Sequence, residues 1–327
     1  MSVQAWQVTS LGEPRDALRV VEVPEPEPGP GEVAVRVRAV AVNFPDVLLA
    51  RGEYQVRPEV PFTPGIELCG DVVAVGAGVE RVRVGERVVG SRIGVLAQVA
   101  VLAESEVFPA PEALDDAEAA ALTIAYQTAW FALHRRAAVQ PGETVLVHAA
   151  AGGVGTATVQ LAVAAGARVV GVVGGAAKAQ VARDAGAHVV LDRTSDDLVA
   201  AVKEATGGRG ADVVVDPVGG DAFDASVRCV AFEGRIVVVG FAGGRIQRVR
   251  PEHALVKNYG VLGLHWGLYA RERPDLVAQV HDEISRLVAE GAVRPVVGAV
   301  VPFEDAADAV QRLADGATTG RLVVRVG

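Results

Sequence analysis

Cysteine, methionine and aromatic side chains are scarce in this sequence. Its 327 residues include two cysteines, one methionine, four tyrosines and three tryptophans. Cys69 and Cys229 are far apart, which excludes a disulfide framework and any multi-cysteine zinc cluster and fits a reducing compartment. Basic charge is also short: 31 Lys and Arg stand against 40 Asp and Glu, a net charge of -9. A protein that grips nucleic acid or an anionic membrane needs a basic face, so neither partner is expected. The start, "MSVQAWQVTS", has no basic segment leading into an apolar core, so no signal peptide is expected and the cytoplasm is the expected location. Internal repeats and low-complexity tracts are missing as well.

What is present is apolar and long enough for two domains. Half of the residues are hydrophobic and the mean hydropathy is +0.31, which argues against disorder. The first part of the chain is β-rich: "LRVVEVPEPEP", "GEVAVRVRAVAV" and "GDVVAVGAGVERVRVGERVVG" alternate valine with charge between glycine and proline turns. Such alternation suits an antiparallel sheet or partial barrel with one wet face.

From about residue 126 the texture changes. "TVLVHAAAGG", "ARVVGVVGG", "HVVLD", "ADVVVDPVGG", "RIVVVGFAGG" and "YGVLGLHWG" read as six buried strands. Helical segments such as "DDLVAAVKEATGG" and "DAFDASVRCVAFEG" separate them. Apolar strands alternating with helices imply a parallel, doubly wound α/β sheet. The helix "PDLVAQVHDEISRLVAEG" opens with Pro274 at its first position and closes near Gly291. The remaining strands and helix are expected to rejoin the first domain, because the six-strand unit is complete by about residue 266.

One uncharged stretch, residues 144–167, is long enough to raise the question of a membrane span. Gly152, Gly153 and Gly155 interrupt its middle, and its hydrophobic period changes from strand to helix there. Strand, glycine turn, helix is the better parse, and it is the parse of a dinucleotide site. Such a site needs a strand ending in a tight turn and a helix whose first amides face a pyrophosphate. In "AAGGVG", Gly152 and Gly155 take the second and third glycine places of G-x-G-x-x-G, with Ala150 at the first. The competing use of these glycines is helix-to-sheet packing alone.

An NAD site commonly ends its second strand with an acid that binds the ribose 2′-hydroxyl. Here that strand ends in "VVGGAAK", with Gly174 where the acid would be and Lys178 as the first charge. Arg193 follows the third strand. A glycine gap with two cations suits a 2′-phosphate and favours NADPH; the alternative is that both cations are solvated surface charges.

These residues, with the upstream "AVAVNFPDVLLARGEY" and "LTIAYQTAWFAL", resemble the zinc-independent quinone oxidoreductases of the medium-chain dehydrogenase/reductase superfamily. The resemblance covers essentially the whole chain. It implies a GroES-like catalytic domain from residues 1–125 and 267–327, a Rossmann domain from residues 126–266, and a homodimer joined through the strand "YGVLGLHW". It implies that Ala151, Gly152, Gly153, Val154 and Gly155 line the pyrophosphate, with Gly174, Lys178 and Arg193 at the adenosine phosphate. It further implies Asn43, Thr128, Val218, Gly240, Phe241 and Leu264 toward the nicotinamide. Zinc-dependent relatives carry ligands where this chain has Asn43 and Ile66, and isoleucine cannot ligate, so no metal is expected. Cys69 reads as a buried apolar residue and Glu67 as structural.

The implied chemistry is hydride transfer to a quinone or an α,β-unsaturated carbonyl compound. The protein must then orient the acceptor and stabilise charge on its oxygen. Tyr54 is a candidate donor and proton source, or else a packing residue. Asn43 could donate to substrate or to the nicotinamide ribose, and Asp46 would fix local geometry. Of the histidines, His148 reads as a satisfied buried residue, His265 could lie near the nicotinamide by the logic of the fold, and His134, His188, His253 and His281 show no constellation. A rival reading is an enoyl-thioester reductase with a basic entrance formed by Arg51, Arg57 and Arg92. A non-catalytic, crystallin-like or RNA-binding role is disfavoured for RNA by the acidic balance.

Overall fold

The computed structural model describes residues 1–327 as two units. The first comprises Met1–Ile124, Pro274–Ala289 and Arg294–Gly327, and the second Ala125–Arg273 and Glu290–Val293.

The first unit is organised by the strand Glu32–Val42, "EVAVRVRAVAV". Its valines and alanines are buried while Arg36 and Arg38 point to solvent, the half-wet alternation that the sequence shows. The C-terminal strand Arg321–Arg325 runs antiparallel to it, with Leu322 opposite Val42 and Arg325 opposite Ala39. The chain's tail therefore closes the sheet that begins at residue 32. On the other side lie Leu68–Val75, Arg87–Gly90 and Val107–Pro109 in turn, with Val99–Ala103 also paired to the central strand. Within the valine-rich "ERVRVGERVVG" only Arg87–Gly90 is strand. Before it the chain turns, with the Glu80 amide held by Glu104 at 2.7 Å.

The second unit is built on a six-stranded parallel sheet. In chain order its strands are Thr144–Val147, Arg168–Val173, Val189–Asp192, Ala211–Asp216, Val230–Val238 and Gly260–Gly263. Across the sheet they run third, second, first, fourth, fifth, sixth. Every residue of Thr144–Val147 and Ala211–Asp216 is buried, as a sheet covered on both faces requires. The strand order reverses between the first and fourth strands, the switch point where such folds take ligands. The uncharged stretch divides into the first strand and the helix Gly153–Ala164, and no helix of the chain is long and apolar enough to cross a membrane.

One helix is shorter than the sequence reading expects. In "DAFDASVRCVAFEG" the helix stops at Cys229 and the fifth strand starts at Val230. The register against the fourth strand jumps from Val230 to Arg235, and Glu233 adopts φ 58°. A bulge at 231–234 thus lets the β-favouring Val230 and Phe232 leave the helix at once.

Candidate cofactor site and the buried cluster at Asn43

The first strand of the parallel sheet is prolonged beyond Val147 by amide bonds from His148 to Val215 O (3.1 Å) and from Ala150 to Val172 O (3.0 Å). Between them Ala149 turns left-handed, φ 50°, and its carbonyl accepts from the Gly152 amide at 2.8 Å. That carbonyl would stand 2.0 Å from a Cβ on residue 155, so Gly155 is needed for close packing of helix on turn. Gly152 precedes the helix Gly153–Ala164 in an extended conformation, no side chain caps the helix, and no acid lies in its first turn. The first-turn amides lack intrahelical partners and sit at the positive end of a 12-residue helix, a geometry suited to an anion.

At the end of the second strand, Gly174 and Gly175 lead into the helix Ala176–Asp184, where Lys178 is the third residue and half-buried. Arg193 extends the strand pairing through its amide to Val173 O (2.9 Å), and its guanidinium lies against Gly174. The structure also places a group the sequence reading missed. Asp192 ends the third strand, and its Oδ1 accepts from the amides of Gly175 and Thr194 (3.0 Å each) and from the Thr194 hydroxyl (2.7 Å). The Thr194 amide and hydroxyl, then the Gly175 amide, hold this carboxyl below its ordinary range. The acid arrives from the neighbouring strand rather than from the second strand's own end.

The fourth strand ends in Asp216, whose Oδ1 accepts from the Val218 and Gly219 amides at 2.9 Å each. The loop after the fifth strand is tied to this turn by Ala242 N–H to Pro217 O (3.0 Å) and Gly243 N–H to Val218 O (2.9 Å). Val218, Gly240 and Phe241 therefore belong to one joined pair of loops. Leu264, buried, donates its amide to Val238 O at 2.9 Å just past the sixth strand. Because the strands are parallel, residues 151–155, Gly174, Arg193, Val218, Gly240, Phe241 and Leu264 all follow strand C-termini on one edge of the sheet. Thr128 is buried in the helix Thr123–Trp130. His148 Nε2 bonds Ser226 Oγ (2.7 Å), and Ser226 gives its own proton to Ala222 O, so Nε2 carries the hydrogen. Burial lowers the His148 pKa, which keeps the ring neutral and satisfied.

In the first unit, Asn43 precedes the helix Phe44–Arg51. Asp46 accepts the Asn43 amide on Oδ2 (2.8 Å) and the Gly65 amide on Oδ1 (3.0 Å), joining the helix start to the turn that precedes Glu67. Burial pushes the Asp46 carboxyl up to about 7, against the pull of those two amides. The Asn43 Nδ2 donates to Ala41 O (3.0 Å) and Glu67 Oε1 (2.8 Å), while its Oδ1 accepts from Arg321 Nη1 (2.9 Å). Both amide protons of Asn43 are engaged inside the protein, so the donor to substrate or ribose that the sequence suggests has no free N–H in this arrangement.

Glu67 accepts in addition from the Ile124 amide (2.8 Å) and pairs with Arg321 Nη2. Burial pushes the Glu67 carboxyl up, opposed first by the Arg321 charge. Arg321 escaped the sequence reading; its signal is a charge at the start of the valine-rich strand "RLVVR", which must find a counter-charge once buried. Tyr54 sits half-buried in the bend after the helix, and its hydroxyl makes no hydrogen bond within the chain. Burial and then the Asp46 charge raise its pKa, so the phenol keeps its proton at neutral pH.

Residues 153–285 match the zinc-binding dehydrogenase family, and residues 29–112 match the alcohol dehydrogenase GroES-like domain. Quinone oxidoreductase-like protein 2 of Bos taurus is 38% identical over 285 residues, covering 86% of this chain and 82% of that protein. The chain belongs to the zinc-independent quinone oxidoreductase family of the medium-chain dehydrogenase/reductases. A solved probable oxidoreductase from Mycobacterium abscessus is 40% identical with a TM-score of 0.90, covering 100% of this chain and 99% of that one. The Escherichia coli quinone oxidoreductase complexed with NADPH is 31% identical with a TM-score of 0.92, covering 99% and 100%.

This quinone oxidoreductase family member does not fit the zinc ion in the matched family's description. At the ligand places stand Asn43, with its amide fully engaged, and Ile66, a buried hydrocarbon. The nearby Glu67 carboxylate is held by a guanidinium, and no three His, Cys, Asp or Glu side chains converge to hold a metal.

Proposed function

We propose that this chain is an NADPH-dependent reductase that delivers hydride, without a metal, to quinones or to α,β-unsaturated carbonyl compounds. One observation carries the reading. An uncapped, acid-free helix start stands on the same sheet edge as a glycine-ended second strand flanked by Lys178 and Arg193. The NADPH bound by the Escherichia coli relative supports it.

The residues fit that cofactor, which supplies the hydride when bound. The amides of residues 153–155 take the pyrophosphate, while Gly152, its own amide bonded to Ala149 O, shapes the turn, and Lys178 with Arg193 takes the 2′-phosphate. Asp192 serves the same end indirectly, because its Oδ1 is committed to the turn and holds Gly175 and Thr194 in place. Val218, Gly240, Phe241, Leu264 and Thr128 orient the nicotinamide. Tyr54 keeps its proton at neutral pH and donates a hydrogen bond, or the proton itself, to the acceptor oxygen that gains charge. A quinone then takes up one hydride and one proton, the latter from Tyr54 or water, to become a hydroquinone. Asn43 acts by position, keeping the start of the Phe44–Arg51 helix in register with Glu67.

The enoyl-thioester alternative is weakened: of the three arginines of its basic entrance, Arg51 is paired with Glu13 (2.8 Å) and Arg92 lies near Glu32 (3.4 Å) and Glu106 (3.5 Å), which leaves the exposed Arg57. We further propose a cytoplasmic homodimer. The sixth strand pairs on one side only, and the helix Pro251–Lys257 just before it exposes Leu255 and Val256 at 77% and 78%, a surface suited to a second copy. Sedimentation of the wild type against a Leu255→Glu, Val256→Glu double variant tests that interface. The function is tested by an acceptor screen read out as NADPH consumption. Turnover of an ortho-quinone or an enone is expected, and turnover of an enoyl thioester alone would overturn the assignment.

A further inference from the structure

Gln247 lies in the segment between the loop after the fifth strand and the helix Pro251–Lys257. Its Nε2 donates to Asp216 Oδ2 (3.1 Å) and to Gly240 O (2.7 Å). Asp216 is fully buried, and its other oxygen already holds the Val218 and Gly219 amides. A single carboxamide thus connects Gly240, through one carboxylate, to Val218.

The surrounding backbone is shaped to this contact. Gly219 and Gly220 are left-handed, φ 75° and 53°, and a Cβ on Gly219 would stand 2.5 Å from Arg245 O and 3.2 Å from Gln247 Nε2. Arg245 adds ion pairs to Asp221 and Asp224 (2.5 and 2.9 Å) from the exposed side, where such pairs are weak. The chemistry asks for an amide. A carboxamide NH2 has two protons to give to a carboxylate and a carbonyl at once, and brings no charge of its own. An apolar side chain would leave a buried carboxylate oxygen short of a donor, and an ionised glutamate would set a second negative charge beside Asp216.

We propose that Gln247 is a positioning residue: it fixes the spacing between the Val218 loop and the loop carrying Gly240 and Phe241, and so sets the nicotinamide for hydride transfer. The proposal rests on the NADPH reading above. In a doubly wound sheet of this order each half takes one mononucleotide, the first three strands the adenosine and the last three the nicotinamide. Gln247 therefore governs the reacting end and leaves the adenosine end alone.

The experiment compares wild type with Gln247→Leu and the similarly sized Gln247→Glu. It measures binding of adenosine 2′,5′-bisphosphate, and the kcat and primary isotope effect with NADPH deuterated at C4, using one ortho-quinone. Both variants are expected to bind the bisphosphate like wild type, within about twofold, while kcat falls roughly 10- to 100-fold. The isotope effect should become more fully expressed as hydride transfer turns rate-limiting. Wild-type kcat and isotope effect in both variants would overturn the positioning role. So would an equal loss of bisphosphate affinity, which marks a general collapse of the nucleotide unit. A wild type that binds neither bisphosphate nor NADPH would remove the underlying reading instead, which keeps the two failures distinct.

Discussion

The guanidinium of Arg193 rests against Gly174. Its Nη2, Nε and Cζ stand 3.1, 3.2 and 3.4 Å from the point that a Cβ of residue 174 would occupy. The glycine that ends the second strand thus has two consequences. It leaves the second strand's own end without an acid, the nearby Asp192 carboxylate being bound to the Gly175 and Thr194 amides, and it gives a cation that follows the third strand a surface to lie on.

Gly174→Ala places a methyl group in that contact and displaces the guanidinium. Arg193 is exposed, so water screens its interaction with a phosphate. The expected loss of NADPH affinity is correspondingly small, about two- to fivefold, with NADH affinity unchanged. Calorimetric titration with each cofactor checks this, and an equal loss for both would assign Gly174 to packing alone.

Gly155→Ala acts on the shared part of the site. The new Cβ would lie 2.0 Å from Ala149 O, and only backbone movement can relieve that clash. Overpacking of this kind costs roughly 1–3 kcal/mol, and here it also shifts the helix start that faces the pyrophosphate. NADPH and NADH should weaken together, alongside a lower unfolding midpoint. Selective loss of NADPH would contradict the geometry.

The extent to which the sequence disclosed this arrangement follows from how locally each feature is encoded. The six parallel strands were legible because each is buried on both faces and reads as an uninterrupted apolar run, as in "ADVVVD". The helix start at Gly153 was legible from glycine spacing, and Lys178 and Arg193 from their places just after strand ends. Asp192, Arg321 and Gln247 were not, because each acts on a partner distant in the chain: 17 residues away for Asp192 and Gly175, 254 for Arg321 and Glu67, and 31 for Gln247 and Asp216. The engagement of Asn43 was hidden for much the same reason, since one of its amide protons goes to Glu67, 24 residues downstream, and its oxygen accepts from Arg321, 278 residues downstream. The expected helix through "VAFEG" overlooked a bulge that only pairing with the fourth strand creates.

Asp46 should impose a pH dependence on stability. Burial above all raises its carboxyl from 3.8 to about 7 in the folded state, with the Glu67 charge adding to the rise and the Arg321 charge opposing it. Below about pH 4 both folded and unfolded chains hold the proton, and its contribution is fully present. Between about pH 4 and 7 only the unfolded chain releases the proton, so stability falls as pH rises through that window, by on the order of 4 kcal/mol in total. Urea unfolding of wild type and Asp46→Asn from pH 4.5 to 8 isolates the effect. The stability difference, wild type minus variant, should decrease steadily to about pH 7 and then level off. A difference that stays constant with pH would show that Asp46 is ionised throughout.

Tyr54→Phe separates the two acceptor classes. Reduction of an enone leaves an enolate that needs a proton, whereas a reduced quinone oxygen is a weaker base and takes its proton from water readily. General acid catalysis by one positioned group is typically worth 10²–10⁴-fold, so enone turnover should fall by about that factor while quinone turnover changes little. NADPH affinity should be unaffected. Steady-state turnover on one quinone and one enone decides the matter, and wild-type rates on both would make Tyr54 a packing residue.

The proposed use of NADPH in quinone reduction rests on Lys178 and Arg193. Its most direct test is consumption of NADPH against NADH with a single ortho-quinone, for wild type and Lys178→Ala. Wild type should turn over with NADPH at far lower cofactor concentration than with NADH. Loss of one charge-assisted bond should raise the requirement for NADPH by roughly 10- to 150-fold and leave that for NADH unchanged. Equal use of the two cofactors by the wild type, or no quinone-dependent consumption of either, would contradict it.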